Sequence, residues 1–197
     1  MTAPFADPAG AWDPPPLHEI RALLADLDAP WWIAGGWAIE LAVGRPVRPH
    51  NDVDVLMLHR DHPTIQAVLP DWEWWAADPP GTLRPWRPGE LLPHHVHDIW
   101  CRPTADHPWS FQFMLDNADG DHWVSRRDPR IRRPIADIGR TTPDNFPYLA
   151  PEIQLFYKSK SPRPKDELDF QAALPILTPA QREWLDRAVR LTHEPGR

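Results

Sequence analysis

The sequence predicts a mixed α+β domain with helices flanking a mixed sheet and a C-terminal helical part. Three observations carry this. Residues 31–58 read as strand, glycine turn, short helix, polar loop and strand. Residues 72–125 hold further short apolar or alternating runs separated by turn signals. Residues 151–192 then switch to helical spacing with recognisable helix starts.

In order, residues 1–16 are rich in Pro and Ala and read as a loosely ordered tail. Leu17, Ile20, Leu23, Leu24 and Leu27 fall at helical spacing, and Pro30 ends that helix. Residues 31–34 form an apolar strand. Gly35-Gly36 supplies the backbone freedom for a tight turn, residues 37–43 a short helix, and Gly44 its C-terminal glycine. A strand over 52–57 begins with two carboxylates. Residues 64–69 are a short helix closed by Pro70, 72–76 a strand and 78–93 a loop. In the strand over 95–101, Val96, Asp98 and Trp100 share one face. Residues 109–115 are another strand, and 116–121 a turn leading to 122–125. An arginine-rich segment occupies 126–140. Helices follow over 151–158 and 165–174, and Thr178, Pro179 and Gln181 open a third with a capping box. The expected organisation is a tail over 1–16, a core over 17–140 and a helical subdomain over 141–197.

Composition narrows the function classes. A net charge of −7 argues against a general nucleic-acid binder. The single cysteine, Cys101, excludes an internal disulfide, and no run is long enough to span a membrane as a helix. With no basic-then-apolar leader pattern, the expected compartment is the cytoplasm. The 27 prolines fall mostly in loops and at element ends, which indicates stiff connections beyond the tail.

The chemistry lies in spacing. Residues i and i+2 of a strand face the same way, so Asp52 and Asp54 project side by side, roughly 7 Å apart at Cα. Two carboxylates this close repel unless a cation lies between them. Oxygen-only ligands suit Mg²⁺, which takes one or two carboxylates together with substrate phosphates. The Gly35-Gly36 turn leads into a helix N-terminus, which offers N–H groups to phosphate oxygens. A metal site and a phosphate cradle together indicate phosphoryl or nucleotidyl transfer. The plainer alternative makes the acids a strand entrance and the glycines a turn.

Gly35-Gly36-Trp37-Ala38-Ile39-Glu40, then Gly44, then Arg48-x-His50-x-Asp52-x-Asp54, resembles the DNA polymerase beta-type nucleotidyltransferase superfamily. It is most similar to the small aminoglycoside and lincosamide nucleotidyltransferases, whose pattern is G-G-W-x-x-D, a glycine, then R-x-H-x-D-x-D. Glu40 stands where that pattern has Asp. The resemblance implies a mixed sheet holding the metal site, with helices closing over an acceptor. It implies transfer of a nucleoside monophosphate from a nucleoside triphosphate to a hydroxyl of a small molecule, an antibiotic among the candidates. Two Mg²⁺ ions would be held by Asp52, Asp54 and a third acid on a later strand, for which Asp98 is the expectation; its alternative is an ion pair with a nearby Arg or His. Gly35 and Gly36 would hold phosphates. Arg48 and His50 are placed at the site edge, with loop anchoring as the alternative. Lys158 is expected near the phosphates, with a helix-surface role as the alternative, and Lys165-Asp166-Glu167-Leu168-Asp169 resembles an element that the family carries close by. The rival readings are a toxin–antitoxin enzyme acting on protein or tRNA, and a non-catalytic nucleotide-binding relative.

Other groups read as structural. His94, His95 and His97 lack a convincing third or fourth zinc ligand and read as a surface cluster. The arginines over 126–133 read as a solvated, partly paired face, with contact to triphosphate or an anionic acceptor as the alternative. Asp116 and Asp121 read as turn caps, and Cys101 as buried and inert.

Overall fold

The computed structural model describes residues 10–194. In chain order the elements are α1 (Leu17–Leu23), β1 (Trp31–Ile33), α2 (Gly35–Val43), β2 (Asp54–Leu58), α3 (Ile65–Val68), β3 (Glu73–Ala77), β4 (Leu83–Pro85), β5 (Asp98–Arg102) and β6 (Phe111–Asp119). They continue with β7 (His122–Val124), β8 (Arg132–Pro134), β9 (Gly139–Thr141), β10 (Pro147–Leu149), α4 (Pro151–Lys158), α5 (Pro164–Ala173) and α6 (Pro179–His193). The expected mixed α+β class is observed. Backbone contacts divide the described residues into two compact units that interleave along the chain, 10–30 with 51–115 and 31–50 with 116–194. Within the second unit α2 packs on α4 and α5. No helix among the described residues is long and apolar enough to cross a membrane.

The first unit is built on strands in the order β4-β3-β5-β6-β2. Its antiparallel register pairs Trp75 with Trp100, Trp100 with Gln112, and Asp98 with Met114. Alternation then separates two faces. Trp74, Ala76, Ile99, Cys101, Phe111 and Phe113 are buried on one face, and Ile20 of α1 and Leu24 just after it are buried in the same unit. Each such large side chain contributes about 1.5–3 kcal/mol of burial. Trp75, Asp98, Trp100 and Gln112 stay half-buried. The tail expected over 1–16 lies partly outside the described residues. Its described end is tied down: Asp13 N–H donates to the Trp109 carbonyl, and Trp109 N–H donates to that of Ala11.

The second unit supplies the mixed pairing. β1 runs parallel to β10 through Ile33 and Tyr148, while β10 runs antiparallel to β9 through Leu149 and Gly139. The last residues of β6 pair with β7, and β7 with β8. The turn expected over 116–121 is therefore shorter, and β6 continues to Asp119. Asp116 sits inside the strand, fully buried, where Trp123 Nε1 and Tyr157 Oη each donate to its Oδ2 at 2.7 Å. Those donors replace the water that a turn acid would meet. Burial, with Asp116 alongside, pushes the Tyr157 phenol well above its ordinary range. The arginine-rich segment folds as a staple. Arg127 reaches the Phe156 carbonyl and Ser159, Arg130 pairs with Asp128, and Arg133 Nη1 donates to the buried Glu152 at 2.7 Å. The capping box on α6 forms as read, with Gln181 N–H donating to Thr178 Oγ1 and Thr178 N–H to Gln181 Oε1.

Gly139 is required by packing. A Cβ built there would overlap the indole of Trp32. Gly139→Ala is expected to lower unfolding stability by about 1–3 kcal/mol, as overpacking of a filled core does. Urea denaturation measures this, and unchanged stability would mean that Trp32 has room to move.

Candidate active site

The acids of the D-x-D pair stand at the mouth of β2. The strand begins at Asp54 rather than Asp52, but Val53 C=O still accepts from Gln112 N–H at 3.0 Å, so the extended pairing reaches back toward Asp52. Both carboxylates are half-buried. Asp54 Oδ1 accepts a short hydrogen bond from Gln112 Nε2. Asp98 opens β5 instead of lying inside a strand that starts at His95. β6 runs between β5 and β2, so Gln112 occupies the strand between those carrying Asp98 and Asp54. Asp98 and Gln112 line one cavity of about 520 Å³ with Ala77, Thr82, Leu83 and Trp100. A cavity of about 610 Å³ lined by α1, Trp72 and Pro108 contains neither Asp54 nor Asp98. Among the described residues no three His, Cys, Asp or Glu side chains form a ready metal cage. What is present is an oxygen-only pair, the donor chemistry of a hard cation that completes its shell with substrate and water oxygens.

The glycine turn belongs to the second unit. Gly35 has φ +64°, in the left-handed region open to glycine, and its N–H donates to the buried Gln154 Oε1 at 2.8 Å. Gly36 lies in the first turn of α2, and Gly44 ends that helix at φ +76°. A Cβ at Gly36 would overlap the Arg48 guanidinium and the His50 ring. Bulk at Gly36 therefore displaces this loop, whatever it does to a ligand.

Glu40 anchors that loop. Its Oε1 accepts from Val47 N–H at 2.7 Å, Arg48 N–H at 3.1 Å and His50 Nε2 at 2.8 Å. Arg48 Nη1, a donor only, lies 3.2 Å from His50 Nδ1. His50 Nδ1 must accept there, so the proton sits on Nε2, facing Glu40. Trp37 stacks on the ring at 4.4 Å. Burial opposes ionisation of Glu40, but these hydrogen bonds together hold its carboxyl below the ordinary range.

Arg48 also grips Asp169 with two parallel bonds, Nε to Oδ1 at 3.0 Å and Nη2 to Oδ2 at 2.9 Å. Lys158 Nζ lies 2.8 Å from Asp169 Oδ2 and 2.8 Å from Asp166 Oδ1. All four side chains are at most 7 % exposed. Burial likewise disfavours the Asp166 anion, yet bonds from Arg163 and Lys158 hold its carboxyl well below the usual range. The structure thus gathers Gly36, Arg48, His50 and Lys158 around Glu40 and Asp169 in this unit. Sequence reading did not find Asp169 as the partner of both cations, nor Gln112 as the partner of Asp54. The Lys165-to-Asp169 element was the available signal for the former; a lone Gln in a strand gives none.

Among the remaining expectations, His95 pairs with Asp78 at 3.0 Å, His97 Nδ1 lies 3.2 Å from the Leu115 carbonyl, and Asp121 is an exposed partner of His122. Burial pushes the Cys101 thiol well up.

Solved structures of two other proteins share this fold. A solved structure of the antibiotic-resistance factor ANT(2'')-Ia aligns with TM-score 0.58 at 16% identity, over 90% of each chain. The lincomycin-bound lincosamide adenylyltransferase LnuA aligns with TM-score 0.56 at 16% identity, over 82% of this chain and 96% of that one. In sequence, residues 16–75 match the aminoglycoside-2''-adenylyltransferase family model, a span that includes Gly35, Gly36, Asp52 and Asp54. A 2''-aminoglycoside nucleotidyltransferase of Klebsiella pneumoniae is 44% identical over 53 residues, and one of Escherichia coli 34% over 53 residues. Each match spans 27% of this chain and 30% of the relative. The resemblance read from the glycine and aspartate motifs is thus found again by independent comparison.

Two outcomes follow from the buried network. Asp169→Ala strands the Arg48 guanidinium and leaves Lys158 with Asp166 alone, and is expected to cost about 3–5 kcal/mol, the penalty for unpairing buried charge; a loss below about 1 kcal/mol by denaturant titration would show the network to be solvated. Glu40 and Asp166 have folded-state pKa values below their ordinary 4.5 and 3.8. Their contribution is therefore full above those values and is lost as pH falls through the lower folded ones. Glu40→Gln should flatten the acid limb of a stability-against-pH curve, and an unchanged limb would contradict the assignment.

Proposed function

We propose that the chain is a Mg²⁺-dependent nucleotidyltransferase that moves a nucleoside monophosphate from a nucleoside triphosphate to a hydroxyl of a small molecule, with an antibiotic as the leading acceptor. The observation that carries this is the oxygen-only Asp52–Asp54 pair at the mouth of β2, on a fold shared with antibiotic nucleotidyltransferases. Asp52 and Asp54 would hold Mg²⁺, with Asp98 as the third acid. When bound, the metal neutralises charge on the phosphates and at the transferring centre. Asp98, beside the cavity, accepts the proton of the acceptor hydroxyl as that oxygen bonds to the α-phosphorus and pyrophosphate departs. Gly36 offers its backbone N–H in the first turn of α2 to the outer phosphates, and Gly35, whose own N–H is held by Gln154, gives the turn its left-handed geometry. Arg48, His50 and Lys158 keep that turn in place through Glu40 and Asp169, with Arg48 and Lys158 as the cations beside it.

Asp52 and Asp54 repel a triphosphate until a divalent cation screens them. Calorimetry is therefore expected to show nucleotide binding with Mg²⁺ and its loss with chelator; equal affinity in both would remove the metal from the reading. Asp54→Asn should cut transfer by at least about a hundredfold, on the scale of losing one preorganised electrostatic group, while the protein stays folded. Pyrophosphate release across an acceptor panel, with circular dichroism of the variant, tests this. A folded and fully active variant would show that the pair is not the site.

A further inference from the structure

Beside Asp54, on the neighbouring strand, stands an amide and not an acid. Strands run in the order β5-β6-β2, and the pairing sets Gln112 opposite Trp100 and Met114 opposite Asp98. Gln112 N–H donates to the Val53 carbonyl at 3.0 Å, which puts the residue level with the start of β2. Its side chain reaches Asp54. A carboxylate oxygen only accepts, so Gln112 Nε2 is the group that faces Asp54 Oδ1. Asp98 lies one strand further out, and neighbouring strands are about 4.8 Å apart. A cation held by Asp52 and Asp54 therefore meets two carboxylates and then a neutral side chain. Glutamate has the length of glutamine and would put a third carboxylate there. The number of charged ligands tunes how tightly an oxygen site holds a hard cation. Two acids beside an amide make a weak site for a bare ion, and among the described residues no three His, Cys, Asp or Glu side chains gather to strengthen it.

We propose that Gln112, by its neutrality, keeps the Asp52–Asp54 site too weak to retain a divalent cation alone, so that the ion stays only while phosphate oxygens complete its shell. Gln112 is then a positioning residue that acts through Asp54. The source of those phosphates rests on the nucleotidyl-transfer reading, but the effect on a bare ion follows from the side chains themselves.

The test counts free Mn²⁺ by electron paramagnetic resonance as MnCl₂ is titrated into the full chain without nucleotide. Gln112→Glu is expected to bind Mn²⁺ at least about tenfold tighter than the native chain. Gln112→Met keeps the length without adding charge, and its gain is expected to stay below about threefold. A folded Gln112→Glu chain with native affinity would overturn the proposal, as would an equal gain in Gln112→Met. Should Gln112→Glu unfold in the absence of metal, Mn²⁺ is expected to restore its circular dichroism, because a ligand that binds only the folded state stabilises it. Failure of Mn²⁺ to do so also overturns the proposal. A separate titration of the native chain with a non-hydrolysable triphosphate analogue and Mg²⁺ reads the nucleotide function. Its failure, with the Gln112→Glu gain intact, removes that function and leaves the control of the bare ion standing. Analogue binding without the gain removes only the role of Gln112.

Discussion

Asp169 is fully buried and bonds Arg48 on one side and Lys158 on the other. Taking such a charge out of water costs several kcal/mol, recovered only where geometry is good and each oxygen is satisfied. Here the Arg48 fork occupies both oxygens and Lys158 adds a third bond to Oδ2. The consequence reaches the N-terminal turn of α2. Arg48 held by Asp169 lies where a side chain on Gly36 would otherwise go, and His50 fills the rest of that space. Glu40 closes the arrangement from within α2 itself by accepting from the loop backbone and from His50.

Glu40 stands where the pattern this motif resembles has Asp, and its length has a use. The longer side chain reaches two backbone N–H groups and one imidazole at once. It fixes the His50 tautomer, because Arg48 can only donate and His50 must accept from it at Nδ1. Residues first read as phosphate contacts are thereby also the fasteners of the loop that carries them.

The first unit solves a different problem. Its sheet keeps one face buried and leaves the other half-covered, and Asp54, Gln112 and Asp98 come from three neighbouring strands. Strands stand about 4.8 Å apart, so the two acids are separated by the width of β6. Gln112 on that middle strand satisfies Asp54 while sharing a cavity with Asp98. A neutral amide between two acids lowers their repulsion without adding a fixed cation that would compete with a metal.

The sequence alone determined the local features. The period-2 spacing of Asp52 and Asp54, the glycines that start and end α2, and the Thr178–Gln181 box each depend on residues a few positions apart, and local geometry suffices to read them. The strands β8 to β10 escaped because three residues are too few for a period to show. Asp116 was misplaced as a turn cap because its partner Tyr157 lies 41 residues away and its burial is not written beside it. Gln112 meets Asp54 across 58 residues, and Arg48 meets Asp169 across 121. Composition and spacing could propose that these cations and acids matter. Only the tertiary structure decided which pair with which, because the desolvation that makes each pairing obligatory exists only once the chain has folded around it.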